Sequence, residues 1–235
     1  MTHSLATARR QRGFTLMEMA VVLVIIALIL GGVTVGRDVY RSAQAERIST
    51  EFVQGWIIAY ETYLQRTGRV PGDRPDAATG KINGVAAEPL CDRDMSRLDL
   101  RDAMLKAGVS LPPGRAEGQE SLAVYHDANG SPQQIQVCFI HVSDWAEPAP
   151  GGSYVARPRN VMWIRGMTAE FARQLDQRID GRVDARQGRF RETGRHHPSG
   201  LSLSTRSAWS ADASTEPPAR NALVPTMDGY LKMSQ

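Results

Sequence analysis

The chain has 235 residues, a length that suits one globular domain with a short appendage. Its 42% hydrophobic and 23% charged residues exclude wholesale disorder, and its two cysteines exclude a disulfide-dense scaffold and a four-cysteine zinc module. The formal net charge of +3 comes from Arg9, Arg10 and Arg12, because the other 25 Lys and Arg residues are matched by 25 Asp and Glu residues. The remainder therefore has no overall charge that would attract nucleic acid.

Residues 13–36 form an apolar segment in which Glu18 is the only ionisable side chain. As a helix, these 24 residues would extend roughly 36 Å, enough to cross a bilayer core of about 30 Å. The arginines before the segment are expected to stay in the cytoplasm. The sequence thus predicts a single-pass protein of the bacterial inner membrane, with a cytoplasmic N-terminus and a periplasmic head.

Three interpretations of this segment compete. A cleaved secretory signal peptide needs a small-residue cleavage site after the apolar stretch, and none follows Val35. A plain signal anchor would not explain Glu18, because a carboxylate at membrane depth costs on the order of 2.5 kcal/mol or more. The third interpretation takes the residues at the junction together.

The junction reads Arg12-Gly13-Phe14-Thr15-Leu16-Met17-Glu18 and is followed by an unbroken apolar run. It resembles the cleavage and methylation motif of type IV prepilins and type II secretion pseudopilins. The resemblance implies that a prepilin peptidase/methyltransferase cuts after Gly13 and methylates Phe14. It also implies that Glu18 helps to recruit subunits and to set their register in the filament. The implied partners are other pilin or pseudopilin subunits and an inner-membrane assembly platform.

Simple chemistry supports a role for Glu18 in assembly. Cleavage would create a positive amine on Phe14, and the amine of a neighbouring subunit could neutralise the Glu18 carboxylate within the membrane. Thr15-Leu16-Met17-Glu18 also fits a helix capping box, S/T-x-x-E, and the two interpretations are compatible.

The domain organisation follows from this start. We expect a basic leader peptide at 1–13, the transmembrane half of a stem helix at 14–36 and its periplasmic half at 37–66, because no proline occurs before Pro71. A globular α+β head with a loop-rich C-terminal part is expected at 67–235. The predicted fold class is α+β, with the long stem helix packed on a small antiparallel β-sheet, as in type IV pilins.

Within the head the periodicities predict a few short elements. Helices are expected at 95–107 and, capped by Thr168, at 168–180. Strands are expected at 121–126, 134–142 and 160–165, and after Gly181 at most at 200–204 and 229–233.

Cys91 and Cys138 are expected to form a disulfide, because both follow the membrane segment and the predicted compartment is oxidising. The alternative is an unpaired strand residue at Cys138 and a loop thiol at Cys91.

The chain contains no Gly-x-Ser-x-Gly, Walker A, His-Glu-x-x-His or Cys-x-x-Cys motif, so we predict no enzymatic activity, no cofactor and no metal. His196-His197 is expected in an exposed loop. The acid pairs Asp73 with Asp76 and Asp92 with Asp94 are expected to be solvated turn residues rather than calcium ligands. The overall charge does not support nucleic-acid binding, and an arginine-rich patch at 182–195 is the remaining candidate for it.

Two functions from different classes remain. The first is a structural subunit, a minor pilin or pseudopilin of a type IV filament-like assembly, in the inner membrane or in an extracellular filament. The alternative is a membrane-anchored periplasmic enzyme or binding protein that uses residues 14–36 only as a signal anchor.

Overall fold

The computed structural model describes residues 14–85, 87–92, 99–199, 207–210 and 224–234. The chain divides into two compact units, Met1–Ser42 and Ala43–Gln235. We call the second unit the head, and this unit includes residues 43–66 as well as residues 67–235.

The N-terminal part of the chain is helical from Leu16 to Thr67. Helix α1 covers Leu16–Arg47, a π-helical turn covers Ile48–Val53, and helix α2 covers Gln54–Thr67. Gly68 ends α2 in a left-handed conformation with φ 68°, where its N–H donates to the Leu64 carbonyl. Glycine adopts this conformation without the steric cost of a Cβ, which explains why the helix stops there.

The π-helical turn shifts the buried face of the helix by one residue. Ile48, Phe52 and Val53 are the buried residues of this turn, whose extra residue rotates the helix that follows. Immediately after the turn, Gly55 lies against Pro112, whose Cβ would be 2.5 Å from a Cβ at position 55. Only glycine permits this close approach.

The described residues of the head form a five-stranded antiparallel sheet in the order β1-β2-β3-β5-β4. The strands are β1 (Leu122–His126), β2 (Pro132–Pro148), β3 (Tyr154–Thr168), β4 (Phe190–Glu192) and β5 (Thr226–Lys232). The β1–β2 turn is held by Asp127, whose Oδ1 accepts hydrogen bonds from the N–H groups of Asn129 and Ser131, both at 2.9 Å.

Two further helices accompany the sheet. Helix α3 covers Leu100–Lys106, and helix α4 covers Ala169–Asp180. Thr168 caps α4 through its side chain, as predicted, and Gly181 ends it with φ 73°.

The main core lies between α2 and one face of the sheet. The Phe139 ring is 5.2 Å from that of Tyr60 and 6.2 Å from that of Trp56, and all three side chains are fully buried. A smaller apolar cluster comprises Ile140, Val142, Trp145, Val161 and Tyr230. Both clusters draw their members from residues far apart in sequence.

The predicted fold class is confirmed, because an N-terminal apolar helix is followed by helices and an antiparallel five-stranded sheet. The strand lengths were underestimated: the predicted 134–142 and 160–165 are the middle parts of β2 and β3. Strand β4 was not predicted, and the expected strand at 200–204 lies outside the described residues. Helix α3 begins at Leu100, and the earlier part of its predicted range falls mostly on residues that are not described.

Candidate processing and assembly site

The described part of the chain begins at the predicted junction. Gly13 lies outside the described residues, so its expected role remains a prediction. Phe14 precedes the first helical residue, Leu16, and is 79% exposed. The peptide bond before Phe14 would therefore adjoin non-helical backbone, and the side chain of Phe14 itself is accessible.

Thr15 and Glu18 form a reciprocal capping box at the start of α1. The Thr15 N–H and the Thr15 hydroxyl donate to Oε2 of Glu18 at 2.8 and 3.0 Å. In return the Glu18 N–H donates to the Thr15 hydroxyl oxygen at 3.2 Å. The box satisfies donors that the first helical turn leaves unpaired, and it directs the Glu18 carboxylate back toward the residues at the junction.

The helix after the capping box exposes apolar side chains on every side. All residues from Phe14 to Val33 are exposed, and Leu16–Val33 has a mean hydropathy of 2.7. Among the described residues this is the one helix long and apolar enough to cross a membrane. Such a surface is stable only when lipid or other apolar helices cover it, which fits membrane anchoring.

In the head, Cys91 and Cys138 form a disulfide, as expected. Beside it, Leu90 and Phe139 exchange two backbone hydrogen bonds of 2.7 and 2.9 Å. The disulfide and this bridge fix the segment before α3 to strand β2, so a segment with few apolar residues is tied to the sheet.

The structure corrects the expected solvated environment of Asp73 and of Asp92. Asp73 is 8% exposed rather than solvated, and its carboxylate accepts hydrogen bonds from Arg74, Thr79 and Gly80. Burial acts to raise the pKa of Asp73, but these hydrogen bonds outweigh it and lower the pKa. Asp76 is exposed and pairs with Arg74 at 2.8 Å.

Asp92 is also buried, at 7% exposure, and its Oδ1 accepts the Arg101 N–H at 2.7 Å. Burial, followed by a hydrogen bond with the Asp99 carboxyl, raises the pKa of Asp92 to about 7. Its expected partner Asp94 lies outside the described residues. The described residues contain no group of three or more His, Cys, Asp and Glu side chains that could hold a metal ion.

The prediction of an exposed loop is wrong for His196, which is 7% exposed. Its Nε2 lies 3.1 Å from Oδ1 of Asp144, and its ring lies 4.9 Å from that of Tyr230. Burial lowers the pKa of His196, although Asp144 opposes this shift. The His196 carbonyl accepts the Ala146 N–H at 2.8 Å, so this segment pairs with β2.

One comparison with known proteins identifies the N-terminal segment. Residues 8–34 match the model of the prokaryotic N-terminal methylation motif. No curated protein and no solved structure matches the chain. The match covers the junction, the capping box and the apolar helix and ends before the head. Residues 8–34 therefore carry a prepilin-type signal, the signal of type IV pilins and pseudopilins.

Proposed function

We propose that this protein is a structural subunit, a minor pilin or pseudopilin, of a type IV filament-like assembly. The observation that carries the proposal is the match of residues 8–34 to the methylation motif. The helix that follows the junction adds support, because Leu16–Val33 is apolar, exposed and long enough to cross a bilayer.

The first step of the proposed function is processing. A prepilin peptidase/methyltransferase cuts the bond after Gly13, releases the leader 1–13 and methylates the amine of Phe14. The exposed Phe14 and the non-helical backbone before Leu16 favour this step, since a peptidase needs access to the bond that it cleaves.

The second step is assembly with other pilin or pseudopilin subunits on an inner-membrane platform. The amine of Phe14 on one subunit pairs with the Glu18 carboxylate of its neighbour and sets their register. The capping box needs only residues 15–18, so it survives the cut and continues to orient Glu18 toward the N-terminus.

Stem packing is the third element. At Gly32 and Gly36 a Cβ would meet no atom within 4 Å beyond its chain neighbours and the helix's own backbone. Gly32 and Gly36 have G-x-x-x-G spacing, which lets helices approach closely in lipid. We propose that these glycines contact the stem of a neighbouring subunit.

The proposed location is the inner membrane, with the N-terminus in the cytoplasm and the head in the periplasm, and in assembled form an extracellular filament. The disulfide between Cys91 and Cys138 supports an oxidising compartment for the head. The alternative is a membrane-anchored periplasmic enzyme or binding protein whose helix serves only as an anchor.

Mass spectrometry of the N-terminus of the protein isolated from membranes tests the proposal. A chain that starts at methylated Phe14 is the expected result. A chain that retains Met1, or one cut after residue 36, would overturn the pilin assignment in favour of the anchored alternative.

A further inference from the structure

We propose that the head binds a carboxylate carried on a short apolar chain, in a cavity lined by Arg178 and Arg189. The cavity has a volume of about 180 Å³ and lies where the π-helical turn and α2, the end of α4, and β5 converge. This inference concerns residues outside the processing and assembly site and does not depend on the proposed function.

The two arginines are held in place by neighbouring acids. Arg178, in the last turn of α4, forms an ion pair with Glu46. Arg189 is fixed through its backbone, since its N–H and that of Phe190 both donate to Oδ2 of Asp180, at 2.8 and 2.9 Å. The Arg189 guanidinium has no carboxylate partner among the residues that the structure describes.

The residues that line the cavity include two arginines and no acid. Between residues 173 and 195 there are seven arginines and four acids. Carboxylates of the three aspartates accept backbone N–H groups: Asp176 from Asp184, Asp180 from Arg189 and Phe190, and Asp184 from Arg186 and Gln187. These three aspartates shape the loop. Since Glu46 pairs with Arg178, Arg189 is the arginine of the cavity that is left for an outside anion.

The cavity combines charged and apolar walls. Val53 and Leu231 line it and are buried, and Ile57 and Ile179 extend the apolar wall. Ser49 and Gln54 add polar groups next to the two arginines. A planar guanidinium recognises a carboxylate through two parallel hydrogen bonds, while the apolar wall favours an aliphatic group behind it. Inorganic phosphate satisfies only the first of these requirements.

A second cavity of the head provides an internal contrast. It has a volume of about 170 Å³ and is also bordered by the π-helical turn, but its arginine, Arg47, is paired at 2.8 Å with Glu51, which lines the same cavity. Its charges cancel locally, so it offers no comparable site for an anion. Arg47→Gln is therefore a matched control for substitutions in the first cavity.

The experiment is methyl NMR on the full-length protein in detergent, titrated with butyrate, butyramide and inorganic phosphate. We expect butyrate to shift the Leu231 and Val53 methyl signals with a Kd on the order of 1 mM, as for a ligand of six heavy atoms. Butyramide, which has the same shape without the charge, and phosphate, which lacks the apolar part, should bind at least about fivefold more weakly.

Arg189→Gln should weaken butyrate binding roughly tenfold, and Arg178→Gln by a similar amount, whereas Arg47→Gln should leave it unchanged. Unaltered methyl spectra without ligand show that each variant is folded. If Arg178→Gln unfolds the head by releasing Glu46, Arg189→Gln and Arg189→Lys still test the site. Equal binding to the wild type and to Arg189→Gln, or equal binding of butyrate and butyramide, would overturn the proposal.

Discussion

Every residue from Phe14 to Val33 is exposed, whereas the side chains of Trp56, Phe139 and Phe190 in the head are fully buried. The first region is a single helix whose hydrogen bonds are local, and its capping box joins residues three apart in sequence. The head depends on contacts between distant residues, such as that of Tyr60 with Phe139. Changes near the N-terminus should therefore affect processing and assembly without affecting the fold, and changes in the head should affect stability.

Gly13→Arg should produce the largest effect, a nearly complete loss of the mature protein. The proposed peptidase must fit the residue before the cut into its active site, and an arginine in place of glycine adds a long charged side chain there. The protein should accumulate in the membrane at precursor size, as measured by mass spectrometry. Mature-sized protein from this variant would contradict cleavage after Gly13.

Glu18→Ala should separate assembly from processing. Loss of the carboxylate removes the proposed partner of the Phe14 amine, and leaving a buried charge unpaired costs about 3–5 kcal/mol. We expect cleavage to continue and incorporation into filaments to fall at least about tenfold. Co-purification with the partner subunits provides the measurement.

Glu51→Ala is the matched control for this prediction. Glu51 is a half-exposed acid paired with Arg47, and a surface pair of this kind contributes about 0–1 kcal/mol. The Glu51→Ala protein should assemble normally. Normal assembly of Glu18→Ala as well would mean that the charge of Glu18 does not set the register.

Cys91→Ala/Cys138→Ala should test the head alone. The disulfide joins residues 47 positions apart, and the chain-entropy model assigns about 4 kcal/mol to a loop of this length. Urea unfolding of the full chain in detergent, followed by tryptophan fluorescence, should show this loss, while cleavage after Gly13 is unchanged. A loss below about 1 kcal/mol would show that the hydrogen bonds between Leu90 and Phe139 hold the segment without the disulfide.

The sequence predicted best those features whose signals are local. Helix α4 could be placed because Thr168 and Gly181 mark its two ends. The residues of the candidate site, Gly13, Phe14 and Glu18, could be proposed because they lie within six residues and form a recognisable motif. The pairing of Cys91 with Cys138 could be proposed because the chain has only these two cysteines.

The features that were missed depend on partners distant in sequence. Strand β4 has three residues in an arginine-rich stretch and exists because it pairs with β5. His196 is buried because Asp144 and Tyr230 meet it in the folded head. Likewise, nothing in the local sequence indicates that Arg178 and Arg189 border one cavity with Leu231.

A pH-dependent effect is expected for Asp176, a buried acid of α4. Its Oδ2 accepts the Asp184 N–H at 2.8 Å and the Trp209 Nε1–H at 3.1 Å. Burial raises the pKa of Asp176 to about 7, against the effect of these hydrogen bonds. Between about pH 4 and pH 7 the folded protein therefore keeps a proton that the unfolded chain releases, and the free energy of unfolding falls as the pH rises through this window.

Asp176→Asn should remove this contribution, because asparagine does not titrate. The decline of the free energy of unfolding between pH 4 and pH 7 should become shallower by up to about 1.4 kcal/mol per pH unit, the value for one proton. Asp76→Asn is the control. Arg74 lowers the pKa of this exposed acid, so the weak contribution of Asp76 to the free energy of unfolding is lost as the pH falls, the opposite direction to that of Asp176. The pKa of Asp92 is also raised, so Asp92 lowers the free energy of unfolding over the same pH range. Part of the decline should therefore persist in Asp176→Asn. An unchanged slope in urea unfolding of Asp176→Asn would show that Asp176 titrates alike in the folded and unfolded chain, despite its burial beside Trp209.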